Sequence, residues 1–288
     1  MSRVAVVMDT TGYLPTGLVR ANQIQLVSLY VNFAGERTVR EADITDYDRF
    51  YSELRDAASL PTTSQPAVGD FLAVYEPLLD EGCDILSVHI SAGLSGTCGA
   101  ARQAVETLER VGQDGRVRVF DSATGAGGIA LVALAAAKVA RDGGDLDAVE
   151  TAARDAREQL KIWFAIDTLE YLRRGGRIGA ASAWIGSTLK IKPILTVESE
   201  MTPVERVRTS ARAFDRMVDY ARQRHAAGAD GWVVQHIQSP DQAGKLADAC
   251  REIFNCETVW VSEVGPVLGV HTGPGLLGVG GVPRAMLP

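Results

Sequence analysis

Short β-rich apolar runs alternate with segments whose apolar residues recur at helical spacing, beginning with the first residues of the chain. Residues 4–8 (VAVVM) predict a strand that stops at Asp9, with a polar loop to Gly12 and a short helix over 15–22 behind it. Residues 24–33 predict one extended run, closed by a turn at Ala34, Gly35 and Glu36. Thr45 is placed to cap a helix over 46–56. A loop is expected over 60–66, a helix over 68–79 and a buried strand over 84–90. A polar, glycine-containing turn then leads to a helix over 96–111, a strand over 117–120 and helices over 128–141 and 146–160. Strands alternating with helices in this way predict a parallel sheet covered on both faces.

The pattern changes beyond Lys161. Residues 163–166 are a short extended run, and a helix over 169–174 ends at Gly175 and Gly176. Two extended runs, 193–197 and 204–207, flank a turn-like stretch and predict a hairpin. A long helix over 210–226, a strand over 232–237, a helix over 241–253 and β-rich residues 258–263 follow. The glycine-rich tail, 267–282, is expected to be extended. The reading is α/β with two domains, a parallel-sheet domain over 1–160 and a mixed-sheet domain over 161–288.

A length of 288 residues accommodates two domains of ordinary size, and 46% apolar with 23% charged residues is a globular balance. The net charge of −7 argues against a general nucleic-acid binder, and no nucleic-acid partner is expected. That charge is unevenly spread. Nine basic residues between Tyr171 and Arg216, among them Arg173, Arg174 and Arg177, face four acids, so this stretch is +5 and the remainder −12. A solvated face is the ordinary reading, and a docking surface for an acidic partner or phosphorylated ligand is the sharper one. Cys83, Cys98, Cys250 and Cys256 form no C-x-x-C pair, so reduced thiols, no metal site and a cytoplasmic location are expected. The run over 4–8 is too short for a signal core, and the longest apolar stretch, 127–140, is too short to span a bilayer. Membrane contact is therefore expected to be peripheral at most.

Three polar loops interrupt this pattern: 62–66 (TTSQP), 91–97 (SAGLSGT) and 265–275 (GPVLGVHTGPG). The second lies between a strand and a helix, where free amides and the helix dipole favour an anion. Ser95 or Thr97 acting simply as a helix cap is the plainer explanation. Gly93-Leu94-Ser95-Gly96-Thr97 lacks the last glycine of a nucleophile elbow, and no Walker A or H-E-x-x-H pattern is present. Of four histidines, His89 and His236 fall in predicted strands and His225 near a helix end. His271, among glycines and a proline, is the candidate donor to a carboxylate or phosphate.

In order along the chain, Val4–Thr11, Thr63-Ser64-Gln65-Pro66, Ser91–Thr97, Asp121-Ser122, Arg174-Gly175-Gly176-Arg177-Ile178, 186–195 (GSTLKIKPIL) and 265–275 resemble the DegV family. The resemblance covers nearly the whole length. It implies a long-chain fatty acid, such as palmitate or oleate, with its tail buried between two α/β domains and no other cofactor. Thr63, Ser95 and His271 would hold the carboxylate, with Thr62, Ser91, Gly96 and Thr272 as further head-group contacts. It also implies a non-catalytic carrier that presents its lipid to a separate ATP-binding fatty acid kinase subunit, docked on Arg173, Arg174 and Arg177. The chain departs from the family pattern at Thr10, Ala92 and Cys98-Gly99, and the loss of a hydroxyl at Ala92 leaves Ser91 and Ser95 as alternative carboxylate ligands. The competing reading is a hydrolase or transferase acting on a small carboxylated or phosphorylated substrate, with Ser95 as nucleophile and His271 as base.

Overall fold

The computed structural model describes residues 3–34, 37–185 and 191–288. Along the first half run β1 (Arg3–Asp9), β2 (Gln25–Val27), β3 (Tyr30–Phe33), β4 (Arg37–Arg40), β5 (Thr62–Ser64), β6 (Cys83–His89) and β7 (Val117–Asp121). The second half carries β8 (Lys161–Ala165), β9 (Lys192–Glu198), β10 (Glu200–Val207), β11 (Gly231–His236), β12 (Trp260–Glu263) and β13 (Leu277–Val282). The order β2-β1-β6-β7 forms an all-parallel sheet. A mixed sheet runs β10-β9-β8-β13-β11-β12, in which only β11 and β12 are parallel. The small antiparallel sheet β4-β3-β5 sits beside them. The α/β class, with a parallel first sheet and a mixed second one, is as the periodicity predicts.

The parallel strands are apolar on both faces because helices cover both. Helix Val68–Asp80 and helix Thr97–Glu109 press Phe71, Tyr75, Ala101 and Leu108 against Ile85 and Val117 on one side. Helix Gly127–Arg141 covers the other face and is buried from Gly127 to Ala137. One apolar cluster then runs from Val6 and Val88 through Leu131 and Leu134 to Leu195 and Val233 of the mixed sheet. The two sheets therefore share a core.

Four local expectations are corrected. The run over 24–33 is split between two sheets, because Leu29 N donates to Thr10 Oγ1 and the Ser28 hydroxyl donates to Leu29 O, taking backbone groups a continuous strand would use. The cap of helix Tyr47–Asp56 is Asp46, whose carboxylate accepts from Arg49 N, and not Thr45. Residues 62–64, expected in a loop, form β5 because Thr62 and Thr63 pair with Asn32 and Val31. In the hairpin a single residue, Ser199 at φ 68°, joins β9 to β10, so Pro203 lies within a strand beside a register shift. The expected turn at Gly35 and Glu36, and residues 186–190 of the GSTLKIKPIL segment, lie outside the described residues.

The largest correction is at the tail. Pro266–Thr272 is a helix, not an extended run. Pro266 stands in its first turn and Gly273, at φ 74°, follows its last residue, which are ordinary start and stop signals. His271 is thus held on a helix rather than in a loop.

Asp9, at the end of β1, is fully buried and ties the sheet to its neighbouring loops. Its carboxylate accepts from Thr11 N at 3.0 Å, Thr11 Oγ1 at 2.5 Å and Ile90 N at 2.8 Å, and meets His89 Nδ1 at 3.2 Å. His89 Nε2 continues through Ser87 to Tyr75, so the buried polar groups partner one another. Replacing Asp9 by Ala strands several buried donors. We expect Asp9→Ala to lose about 3–5 kcal/mol in urea denaturation, and a wild-type midpoint would refute that role for Asp9.

Candidate functional site

Between the two sheets lies a cavity with about 940 Å³ of empty space, part of it open to solvent. Leu29, Ile90, Leu94, Ile162, Phe164, Val197, Met201, Val264 and Leu276 give it apolar walls. Its polar lining includes Thr63, Gln65, Ser95, Arg177, Gln235, His271 and Thr272. Both halves of the chain are needed to build it.

Thr63 and His271 meet directly: Thr63 Oγ1 and His271 Nε2 share a 2.7 Å hydrogen bond across more than two hundred residues of chain. Thr63 sits in the middle of β5, and His271 in the last turn of helix Pro266–Thr272, 7% exposed. Gly175 packs so tightly on the other ring nitrogen, Nδ1, that a side chain at 175 would collide with it. Nδ1 is buried and has no hydrogen-bond partner among the described residues. Burial first, and the nearby Arg177 guanidinium second, push the His271 imidazole down to about 4. The ring is neutral at physiological pH.

Ser95 lines the cavity, while its Oγ pairs with Thr97 Oγ1 at 2.9 Å and accepts from Thr97 N at 3.3 Å. Ser91 is used elsewhere. Its hydroxyl donates to Ser199 O at the β9–β10 turn and accepts from Gly93 N, outside the cavity lining. Asp121 shapes the same loop by accepting from Ala92 N and Ala123 N. Gly96 backs onto the Gln65 side chain, and Thr272 lines the cavity while donating to Leu268 O. Thr62 is exposed on the outer end of β5 and does not line the cavity.

The three arginines expected on a docking face separate. Arg173 is exposed and paired with Glu170, and Arg174 donates to Ala58 O at 3.2 Å. Arg177, also exposed, borders the cavity as well, donating to Gly175 O at 2.8 Å and Leu94 O at 3.3 Å. The sequence reading missed this placement, along with Gln65 and Gln235. Gln235 accepts from Gly127 N at 2.6 Å and donates to Ser262 Oγ at 3.0 Å, so a glutamine tolerated inside a strand was the available signal.

The amino end of the helix bearing His271 is held by a buried acid that the sequence reading did not single out. Glu41, 2% exposed, accepts from Thr10 Oγ1 at 2.5 Å, Tyr13 Oη at 2.8 Å and Val267 N at 2.8 Å. Tyr13 Oη in turn accepts from Leu268 N at 3.1 Å. Desolvation outweighs these hydrogen bonds and pushes the Glu41 carboxyl up to about 7. Tyr51 donates to Val264 O and Gly265 O, and its ring lies so close to Gly269 that no side chain fits there.

No Ser95–His271 hydrogen bond occurs among the described residues, and Nδ1 has no orienting acid, so the elements of a nucleophilic dyad are not assembled. Among the described residues no group of His, Cys, Asp and Glu is arranged to hold a metal. No described helix is long and apolar enough to cross a membrane.

A family model described as an uncharacterised protein of the DegV family matches residues 3–284. A DegV domain-containing protein of Streptomyces coelicolor is 40% identical over 283 residues, covering 97% of this chain and 98% of that one. Protein DegV of Bacillus subtilis is 32% identical over 279 residues, covering 96% and 98%. A structure of a DegV family protein from Thermus thermophilus, described by its fatty acid binding, superposes with a TM-score of 0.86 at 32% identity, covering 98% of this chain and 99% of the other. DegV of Bacillus subtilis, described as a fatty acid binding protein, gives a TM-score of 0.85 at 32% identity, with 97% and 99% covered.

The neutral His271 has a consequence for stability. Its folded value, about 4, lies below its ordinary value of 6.5, so between these the unfolded chain binds more protons and stability rises with pH. Glu41 acts in the opposite sense, because its folded value of about 7 lies above 4.5. Stability held by a proton on Glu41 is lost as pH rises through that window. Urea titrations at pH 4.5 and 6.5 separate the two. His271→Gln should become more stable at pH 4.5 relative to pH 6.5 than wild type does, by up to about 3 kcal/mol, and an unchanged difference would contradict the assignment.

Proposed function

The chain belongs to the DegV family, and on that premise we propose that it carries a long-chain fatty acid, its tail in the apolar cavity and its carboxylate at Thr63, Ser95 and His271. The observation that carries this reading is the Thr63–His271 pair, set with Ser95 and Arg177 in a cavity whose walls are otherwise largely apolar. A neutral imidazole has one N–H to give. With Nδ1 enclosed and unpartnered, a proton on Nε2 is donated to Thr63 Oγ1, which leaves the Thr63 hydroxyl hydrogen for the carboxylate. Thr63 and Ser95 hydroxyls can turn to donate, and Arg177 supplies positive charge without a carboxylate partner of its own among the hydrogen bonds described. Ser95 is the better candidate than Ser91, whose hydroxyl is committed to Ser199 O. Thr272 frames the head group from the cavity wall, Gly96 supports Ser95 from behind against the Gln65 side chain, and Thr62 makes no contribution from its exposed position.

Affinity and selectivity divide between the two ends. Each buried methylene contributes about 0.8 kcal/mol, so a fourteen-methylene tail supplies roughly 11 kcal/mol before association costs. The polar end keeps the desolvated carboxylate satisfied and fixes its direction. That fatty-acid binding is the described property of the Thermus thermophilus and Bacillus subtilis relatives supports the same class of ligand here. The cavity lies between what we take as two domains, 1–160 and 161–288. The protein then acts as a cytoplasmic, non-catalytic carrier, handing its lipid to a separate ATP-binding kinase subunit that forms the acyl phosphate. Arg173 and Arg174, exposed beside the Arg177 loop, belong to the face such a partner would use.

Native mass spectrometry of the purified protein, followed by denaturation and lipid extraction, should recover a fatty acid, and the delipidated protein should bind palmitate or oleate. Recovery of none, together with no binding of either, would sink the proposal. Removing one donor to a charged group costs about 1.5–3 kcal/mol, so Ser95→Ala and Thr63→Val should each weaken binding roughly ten- to a hundredfold while Ser91→Ala changes it little. Isothermal titration with palmitate checks the order; a larger effect at Ser91 than at Ser95 would reverse the assignment.

A further inference from the structure

We propose that Glu41 is a positioning residue for the carboxylate site, acting through the amino end of helix Pro266–Thr272 to hold the His271 imidazole against Thr63. This rests on the fatty-acid reading above and adds to it a group that does not line the cavity.

A seven-residue helix is too short to be stable alone, and its first amides need acceptors from elsewhere. Pro266 has no amide hydrogen. The next two amides are satisfied from the other half of the chain, Val267 N by Glu41 and Leu268 N by the Tyr13 hydroxyl that itself donates to Glu41. A carboxylate at this end also complements the helix dipole. His271 stands one turn further on, with Gly175 behind the ring and Thr63 in front, so a shift of the helix moves the imidazole off its partner.

Burial and Asp9 favour the neutral form of Glu41, against hydrogen bonds from Thr10, Val267 N and Tyr13 that favour the ionised one. Asp9, backed by His89, approaches from the end of β1, and Tyr13 from the turn that follows. Tyr47 and Tyr51 face it from helix Tyr47–Asp56, with Glu263 of β12 beyond those phenols. Desolvation brings its titration to near-neutral pH, so its grip on the helix changes in that range. The ionised form is the stronger acceptor for Val267 N. The lipid carboxylate would sit at the opposite end of the helix, about 10 Å of axis away, where its repulsion of Glu41 is the smaller effect.

The test compares wild type with Glu41→Gln, which keeps the shape and an amide oxygen but cannot ionise, and with Tyr13→Phe, which removes one donor to the carboxylate. Palmitate affinity of the wild type should tighten from pH 6 to pH 8, and that of Glu41→Gln should be flat and roughly three- to thirtyfold weaker at pH 8. Tyr13→Phe should move the midpoint of the pH profile upward. In the lipid-free proteins, the His271 Nε2 resonance should shift with pH near neutrality in wild type and lose that shift in Glu41→Gln. Superimposable pH profiles and an unchanged His271 resonance in the glutamine variant would overturn the proposal. So would an unmoved midpoint in Tyr13→Phe. A wild type that binds no palmitate would refute the fatty-acid reading, and the lipid-free His271 resonance would then still decide the role of Glu41.

Discussion

Burial of helix Gly127–Arg141 along one unbroken run of eleven residues is the constraint on which the remaining architecture depends. A helix apolar all around cannot face solvent, so both sheets must close over it. The parallel sheet supplies one wall through Val6 and Val88, and the mixed sheet supplies another through Val233 and Val282. Burying these side chains at about 25 cal/mol per Å² is the dominant favourable contribution to that closure. The cavity lies at the amino end of this helix, where Gly125 and Ala126 line it and Gly127 N is taken by Gln235. Its floor is therefore part of the core.

The polar groups enclosed by this closure are held by a different principle. Burying a charged or polar side chain costs several kcal/mol unless partners replace water. Asp9 collects amides and a hydroxyl at the end of β1, and Glu41 collects two hydroxyls and the amide of Val267. Each acid joins segments far apart in the chain, so the same bonds that satisfy it also fix the loops around the cavity. His271 differs in keeping one nitrogen unpartnered and the other turned to Thr63. Its neutrality follows from burial and the neighbouring Arg177, which is the state that donates without competing for a proton.

Much of the architecture was legible along the chain. Residues 68–79 and 210–226 have apolar residues at helical spacing, and the helices found there, Val68–Asp80 and Ser210–Ala226, differ by a residue at most. The strands β1, β6 and β7 follow from short apolar runs bounded by Asp9, Gly82 and Asp121. Failures occur where side chains compete with the backbone ladder. Ser28 and Thr10 divide a run that looks continuous, and a threonine-rich stretch joins a sheet edge because β3 offers it partners. Pro266 and Gly273 bound the tail helix as ordinary start and stop residues, but the glycines around them obscure its apolar period.

For the site, the polar segments bearing Thr63, Ser95 and His271 stood out along the chain, and the resemblance to the DegV family singled out those three residues within them. The sequence also determined the α/β class, through the alternation of periods near two and near 3.6. Only the tertiary structure decided which groups meet. It committed Ser91 to Ser199 O, set Arg177 on the border of the cavity and Arg173 away from it, and placed Glu41 under the helix that carries His271. Those choices depend on the relative placement of two sheets, and hydrogen bonds act over about 3 Å between residues hundreds of positions apart. Local pattern encodes elements; long-range contact assembles the site.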